Sequence, residues 1–167
     1  MKLELKHLAP YLPYGLKCKW NQSKPFELKG LQHGSDSVNN EMWIWKDKTY
    51  FIGYLYECKP ILRPLSDLTE DIVIGNVKFI PIDILFEKEH PRHLSKRYYS
   101  ETFYNYASVS HNGTAVNLKV YLGKIIEQNP RWIFEYLLIW HFDVFGLIEK
   151  GLAIDINTIF RILRNEQ

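Results

Sequence analysis

Apolar and polar positions alternate through "LKCKW", Leu16 to Trp20, which predicts a half-buried strand with Leu16, Cys18 and Trp20 inward. Aromatic and β-branched runs flank Asp47-Lys48 in "EMWIWKDKTYFIGYLYE" and predict a hairpin. A smaller hairpin is expected in "DIVIGNVKFIP", with Gly75-Asn76 as a two-residue turn and Gly75 taking the positive φ of its first position. Between the two, Pro60 and Pro64 make "KPILRPL" an extended connector. Ser66 caps a short helical turn whose Asp67 and Glu70 lie near its positive end.

The period changes after residue 80. Pro81 suits the first position of a helix over "PIDILFEKE", which Pro91 ends. "HPRHLSKRYYSETFYNYASVSHNGT" has no clean period and is compatible with strand, irregular helix or long loop. From Ala115 to Glu127 a helix is expected, with Leu118, Leu122, Ile125 and Ile126 on one side. Asn129-Pro130 starts a long central helix over about 131–150, and Gly151 stops it. On that helix Ile133, Leu137, Trp140, Val144, Leu147 and Ile148 form the core face, Phe134, Leu138, His141 and Phe145 the adjoining stripe. Arg131, Glu135, Phe142 and Glu149 are left for solvent. Asn157 is expected to cap a last helix, "TIFRILRNEQ". Together these elements predict an α+β fold in one domain, β-rich over 1–80 and α-rich over 81–167, with N-terminal antiparallel hairpins packed on the C-terminal helices.

Composition narrows the function more than the fold. A net charge of +2 over 167 residues announces neither a nucleic-acid nor a membrane partner for the chain as a whole, so any such site is local. Aromatic residues make up 15%, which supplies interface material beyond the needs of the core. Cys18 and Cys58 have no CxxC spacing and form no disulfide framework, as in a reducing cytosol. No signal peptide is expected at the N-terminus, and Glu135, His141 and Asp143 interrupt the longest apolar run, so a soluble protein without a membrane span is expected. The sequons at Asn21 and Asn112 are then accidental.

"WHFD" and "AIDIN" raise a catalytic or metal site at His141, Asp143 and Asp155, but residues two apart on a helix point about 200° apart. A partly buried histidine with a hydrogen-bonded partner is the better expectation. Glu87, Glu89, His90 and His93 read better as solvated charge at a helix end than as metal ligands. Ser108, Ser110 and His111 lack a GxSxG elbow, and the dispersed glycines form no phosphate loop. No catalytic residue, metal or cofactor is therefore expected, and a small-molecule substrate is not. The stretch with the best chemistry for binding is "RHLSKRYYSETFYNY": Arg92, His93, Lys96 and Arg97 beside Tyr98, Tyr99, Tyr104 and Tyr106. Such a mixture holds phosphates and stacks bases, and it also makes protein hot spots. The aromatic hairpin, with Trp43, Trp45, Tyr50, Tyr54 and Tyr56, is a second candidate face.

"LKHLAPYLPYGLK", "KPILRPLSDLTEDI" and "WHFDVFGLIEKGLAIDIN" resemble small accessory proteins encoded in phage and prophage regions of bacterial genomes. The resemblance covers both ends and the middle connector and leaves out Arg92 to Gln128; no catalytic residue carries over from it. It implies a protein at work in the cytoplasm of a bacterial host cell, binding and inhibiting or modulating a host protein. An anti-CRISPR inhibitor, directed at a nuclease or its RNA complex, is the sharpest form of that expectation. The alternative is a small phage protein that binds single-stranded nucleic acid or RNA.

Overall fold

A computed structural model of the chain describes residues 2–21, 23–33, 41–46, 49–89, 97–100, 104–111, 114–121 and 130–165. They form an α+β fold in two compact units, one made of 1–64 and 141–167, the other of 65–140.

The first unit opens with a short helix, α1 (Leu5–Leu8), and a 3-10 turn (Ala9–Tyr14) that ends at Gly15, whose φ of 71° is the left-handed geometry glycine adopts without strain. A six-stranded sheet follows in the order β11-β5-β1-β2-β3-β4. Its strands are β1 (Lys17–Trp20), β2 (Phe26–His33), β3 (Glu41–Lys46), β4 (Thr49–Tyr54), β5 (Cys58–Leu62) and the two-residue β11 (Ile154–Asp155). Leu16 and Cys18 are buried as the alternation predicts, with Trp20 only partly covered. β3 and β4 also pair antiparallel as expected, from Glu41 opposite Tyr54 to Lys46 opposite Thr49, and 47–48 lie outside the described residues.

The first part of "KPILRPL" is a strand and not a connector: β5 runs to Leu62 and lies between β1 and β11. The Asn21 N–H donates to the Glu57 carbonyl, which makes 21/57 and hence Lys19/Lys59 hydrogen-bonded pairs. Pro60, opposite Cys18, then occupies a non-hydrogen-bonded position where its missing donor costs no bond to β1.

The sheet is strongly curled. β1 and β4 are three strands apart, about 14 Å in a flat sheet. Yet a Cβ built on Gly53 of β4 would lie 2.1 Å from the Trp20 ring of β1. The register shift between Leu28 and Gly30 on β2 supplies a bulge of the kind that bends a strand.

The second unit holds a 3-10 turn (Leu65–Thr69), the hairpin β6 (Ile72–Ile74) and β7 (Val77–Phe79), and helix α2 (Pro81–Glu89). Gly75 has a φ of 61°, as its turn position requires. A three-stranded sheet follows, ordered β10-β9-β8, from β8 (Arg97–Ser100), β9 (Tyr104–His111) and β10 (Thr114–Tyr121). Helix α3 (Arg131–Ile139) completes the unit, with Ile133, Leu137 and Leu138 buried and Trp140 packed on Phe79 and Tyr136 at ring distances of 5.4 and 5.1 Å.

Five sequence expectations are corrected here. The segment from Ala115 is strand β10, because Val116, Leu118 and Val120 alternate with polar residues as far as Lys119 and pair with β9. The part expected to be α-rich from residue 81 therefore carries its own sheet. The long central helix is also absent: α3 has 9 residues, and His141 leaves helical space with a φ of 58°. The backbone of 141–143 is used instead to extend pairing beyond β5, with Arg63 N–H on the His141 carbonyl and Asp143 N–H on the Arg63 carbonyl, both at 2.8 Å. Phe142, assigned to solvent by helical spacing, is fully buried. Finally, the cap of the last helix, α4 (Ile156–Asn165), is Asp155 and not Asn157: its Oδ1 accepts the Asn157 N–H at 2.8 Å.

Candidate functional site

The binding stretch expected from the sequence falls on the sheet of the second unit. Arg92, His93 and Lys96 lie outside the described residues. Arg97, Tyr98 and Tyr99 are on β8, and Tyr104 and Tyr106 on β9. Residues directly opposite in an antiparallel ladder share a face, and alternate residues along a strand share it too. The pairs Arg97↔Ser108 and Tyr99↔Tyr106 thus place Arg97, Tyr99, Tyr104 and Tyr106 on one face. Tyr104↔Tyr121 and Tyr106↔Lys119 add two residues of β10 to the same face. Tyr98, opposite Ala107, belongs to the other face, in line with Val109, Val116, Leu118 and Val120.

One face of this sheet therefore carries the tyrosine, arginine and lysine positions together with Ser108, Ser110, Ala115 and Asn117, and the other carries the aliphatic positions together with Tyr98, Asn105 and His111. Sequence reasoning missed Lys119 and Tyr121 because it took their segment for a helix. The alternation in "TAVNLKVY" was the signal for them.

His141, Asp143 and Asp155 each have separate structural work in the first unit. The Nε2 of His141 lies 2.9 Å from the Tyr14 carbonyl, the hydrogen-bonded partner expected of it. The Asp143 carboxylate accepts the Leu147 N–H at 2.8 Å and the Ile148 N–H at 2.7 Å, one on each oxygen. Beside them the Tyr11 hydroxyl donates to the Phe142 carbonyl at 2.6 Å and accepts from Val144 N–H at 3.3 Å. These bonds hold the 141–148 backbone in shape. Among the described residues no three His, Cys, Asp or Glu side chains converge as metal ligands. Of the other candidates, Glu87 and Glu89 end α2, and His90 and His93 lie outside the described residues. Ser108 and Ser110 share a face of β9 and His111 falls on the other.

Burial pushes the imidazoles of His7 and His141 below the ordinary histidine range, and at His141 the Tyr14 carbonyl opposes that. The charges of Arg63 and Lys17 lower His141 further, and Glu27 raises it. Burial pushes the Asp143 carboxyl up, against its bonds from Ile148 and Leu147. As pH falls below about 6.5 the unfolded chain takes up histidine protons that the folded chain refuses, so this contribution is present above that pH and is lost as pH falls. Asp143 acts with the opposite sign above its ordinary value, so the informative quantity is the difference between proteins. Urea unfolding at pH 7 and pH 5.5 is expected to show a smaller loss of stability for His7→Gln/His141→Gln than for the parent. Equal losses would show that these imidazoles do not titrate differently on folding.

No protein-family model, curated protein or solved structure matches the chain. Among the described residues no helix is long and apolar enough to cross a membrane.

Proposed function

We propose that this chain is a non-enzymatic phage accessory protein that binds a host protein in the bacterial cytoplasm and inhibits or modulates it through the tyrosine-rich face of β8–β10. Its sharpest form is an anti-CRISPR inhibitor of a nuclease or of that nuclease's RNA complex. The observation that carries the reading is the register: four tyrosines, Tyr99, Tyr104, Tyr106 and Tyr121, share a face with Arg97 and Lys119. Tyr and Arg are the residues that dominate protein hot spots, since a rigid ring or a planar guanidinium covers area with little rotamer entropy to lose. A net charge of +2 favours a protein over a polyanion as the main partner of this face.

The test is affinity capture from nuclease-treated bacterial lysate, run in parallel with Arg97→Ala and with Tyr99→Ala/Tyr106→Ala. A protein retained after nuclease treatment is expected, with affinity reduced roughly thirtyfold or more by the tyrosine pair, the effect of losing about 2 kcal/mol. Unchanged circular dichroism of the variants keeps that loss separate from unfolding. Retention that vanishes on nuclease treatment would overturn the reading and assign the face to single-stranded nucleic acid, with tyrosines stacking bases and Arg97 and Lys119 on phosphates.

A further inference from the structure

A second site lies wholly within the first unit. Lys19 of β1 and Lys59 of β5 are directly opposed in the ladder, on one face of the sheet. Like charges in that position repel, and among the described residues neither lysine has a carboxylate partner. By contrast Lys17 of β1 lies opposite Glu27 of β2, whose carboxylate also ion-pairs with Lys29. The unmatched pair borders a cleft of about 310 Å³ lined by Lys19, Asn21, Tyr56, Glu57, Lys59 and Ile154. Tyr56 is 63% exposed. Its ring stacks on Tyr54 at 5.2 Å and 14°, which fixes it as a flat platform at the edge of the cleft.

We propose that this cleft binds a nucleoside phosphate, with the phosphate between Lys19 and Lys59 and the base on Tyr56. Two ammonium groups without a carboxylate partner among the described residues supply what one phosphate needs, and the open face of a held tyrosine supplies what a base needs. Glu57 would repel a bare anion, but its carboxylate accepts bonds from ribose hydroxyls or base amino groups. Asn21 can donate as well as accept. The wall therefore suits a ligand with an anionic end and a donor-bearing aromatic end better than inorganic phosphate. A volume of 310 Å³ is at the small end of the range of ligand clefts, about 300–1,000 Å³.

The same chemistry is offered by a free nucleotide and by one residue of a single strand. The arrangement on β3 and β4 bears on the second source. Gly53 faces Trp20, so Tyr50 and Tyr54, of opposite parity on β4, fall on the other face of the sheet, and Trp45↔Tyr50 and Trp43↔Ile52 place both tryptophans there. Tyr54 thus links the cleft to a row of aromatic positions along the hairpin.

Binding of AMP, adenosine, ribose 5-phosphate and a ten-nucleotide oligo(A) to the full chain, measured by calorimetry at two salt concentrations, tests the site. AMP is expected to bind at least tenfold more tightly than adenosine or ribose 5-phosphate. Lys19→Gln/Lys59→Gln should weaken AMP about tenfold and Tyr56→Ala several-fold, while Lys78→Gln, in the other unit, changes nothing. Relief of like-charge repulsion should leave the double lysine variant with an unchanged or raised melting temperature, which separates lost binding from lost folding. Oligo(A) tighter than AMP, with a log–log salt slope near −0.7 for one neutralised phosphate, would support the site with a single strand as its source; equal affinities would support it with the free nucleotide. No binding of either up to millimolar concentration, or binding that the double lysine variant leaves unchanged, overturns the proposal.

Discussion

Asp143→Ala is expected to destabilise the protein by about 2–3 kcal/mol, although Asp143 lies in what reads as an apolar helix. Its two carboxylate oxygens take the N–H groups of Leu147 and Ile148 at 2.8 and 2.7 Å, and Asp143 and Leu147 are buried. Alanine would leave both donors without an acceptor, at a cost of about 1–3 kcal/mol each. Relief of the carboxylate's own burial, the main cause of its raised pKa, returns part of that. Asp143→Asn keeps the shape and one accepting oxygen and should cost about half as much. Urea midpoints give the energies, and amide exchange at Leu147 and Ile148 gives the location, since protection should fall there first. A loss under about 0.5 kcal/mol, with both amides still protected, would mean that the turn does not depend on this carboxylate.

Gly53→Ala should be at least as damaging. The new methyl would lie 2.1 and 2.2 Å from Cη2 and Cζ2 of Trp20, inside any permitted contact, and the rigid indole cannot yield by bending. Overpacking of this kind costs about 1–3 kcal/mol and sometimes more. Here the upper end is expected, because the contact is also where the sheet curls back on itself. Trp20→Leu removes the obstacle, so the alanine should be much less harmful in that background, with a coupling of about 1–3 kcal/mol in the double-mutant cycle. Strict additivity, or a Gly53→Ala protein as stable as the parent, would show that the ring does not lie against this glycine.

Local patterns were legible where one face of an element meets the core and chain neighbours decide the geometry. The strand at Lys17–Trp20, the pairing of β3 with β4, the hairpin turn at Gly75-Asn76 and the helix opened by Pro81 all follow from alternation, turn chemistry and proline placement. The errors lie where distant partners set the conformation. In "WHFD" an apolar run at helical spacing is equally the sequence of a buried irregular turn, and Gly146, with a φ of 62°, was the overlooked sign of one. At the candidate site the residue types were visible in the sequence, but their grouping was not. Tyr98 sits next to Tyr99 in the chain and on the opposite face of the sheet, while Lys119 and Tyr121 join that site from a strand read as helix.

By itself the sequence determined the α+β class, the short-range turns and caps that need particular residues, and the near-neutral charge that leaves any polyanion site local. Tertiary structure alone decided that β5 is an interior strand, that β1 curls round to β4, and that Lys19 faces Lys59 across a ladder. The reason is physical. Backbone preferences and turn chemistry act over a few residues, so a sequence window contains them. Strand order, register and the face on which a charge or ring emerges depend on hydrogen bonds between segments far apart in the chain, and a one-residue slip reverses every side chain.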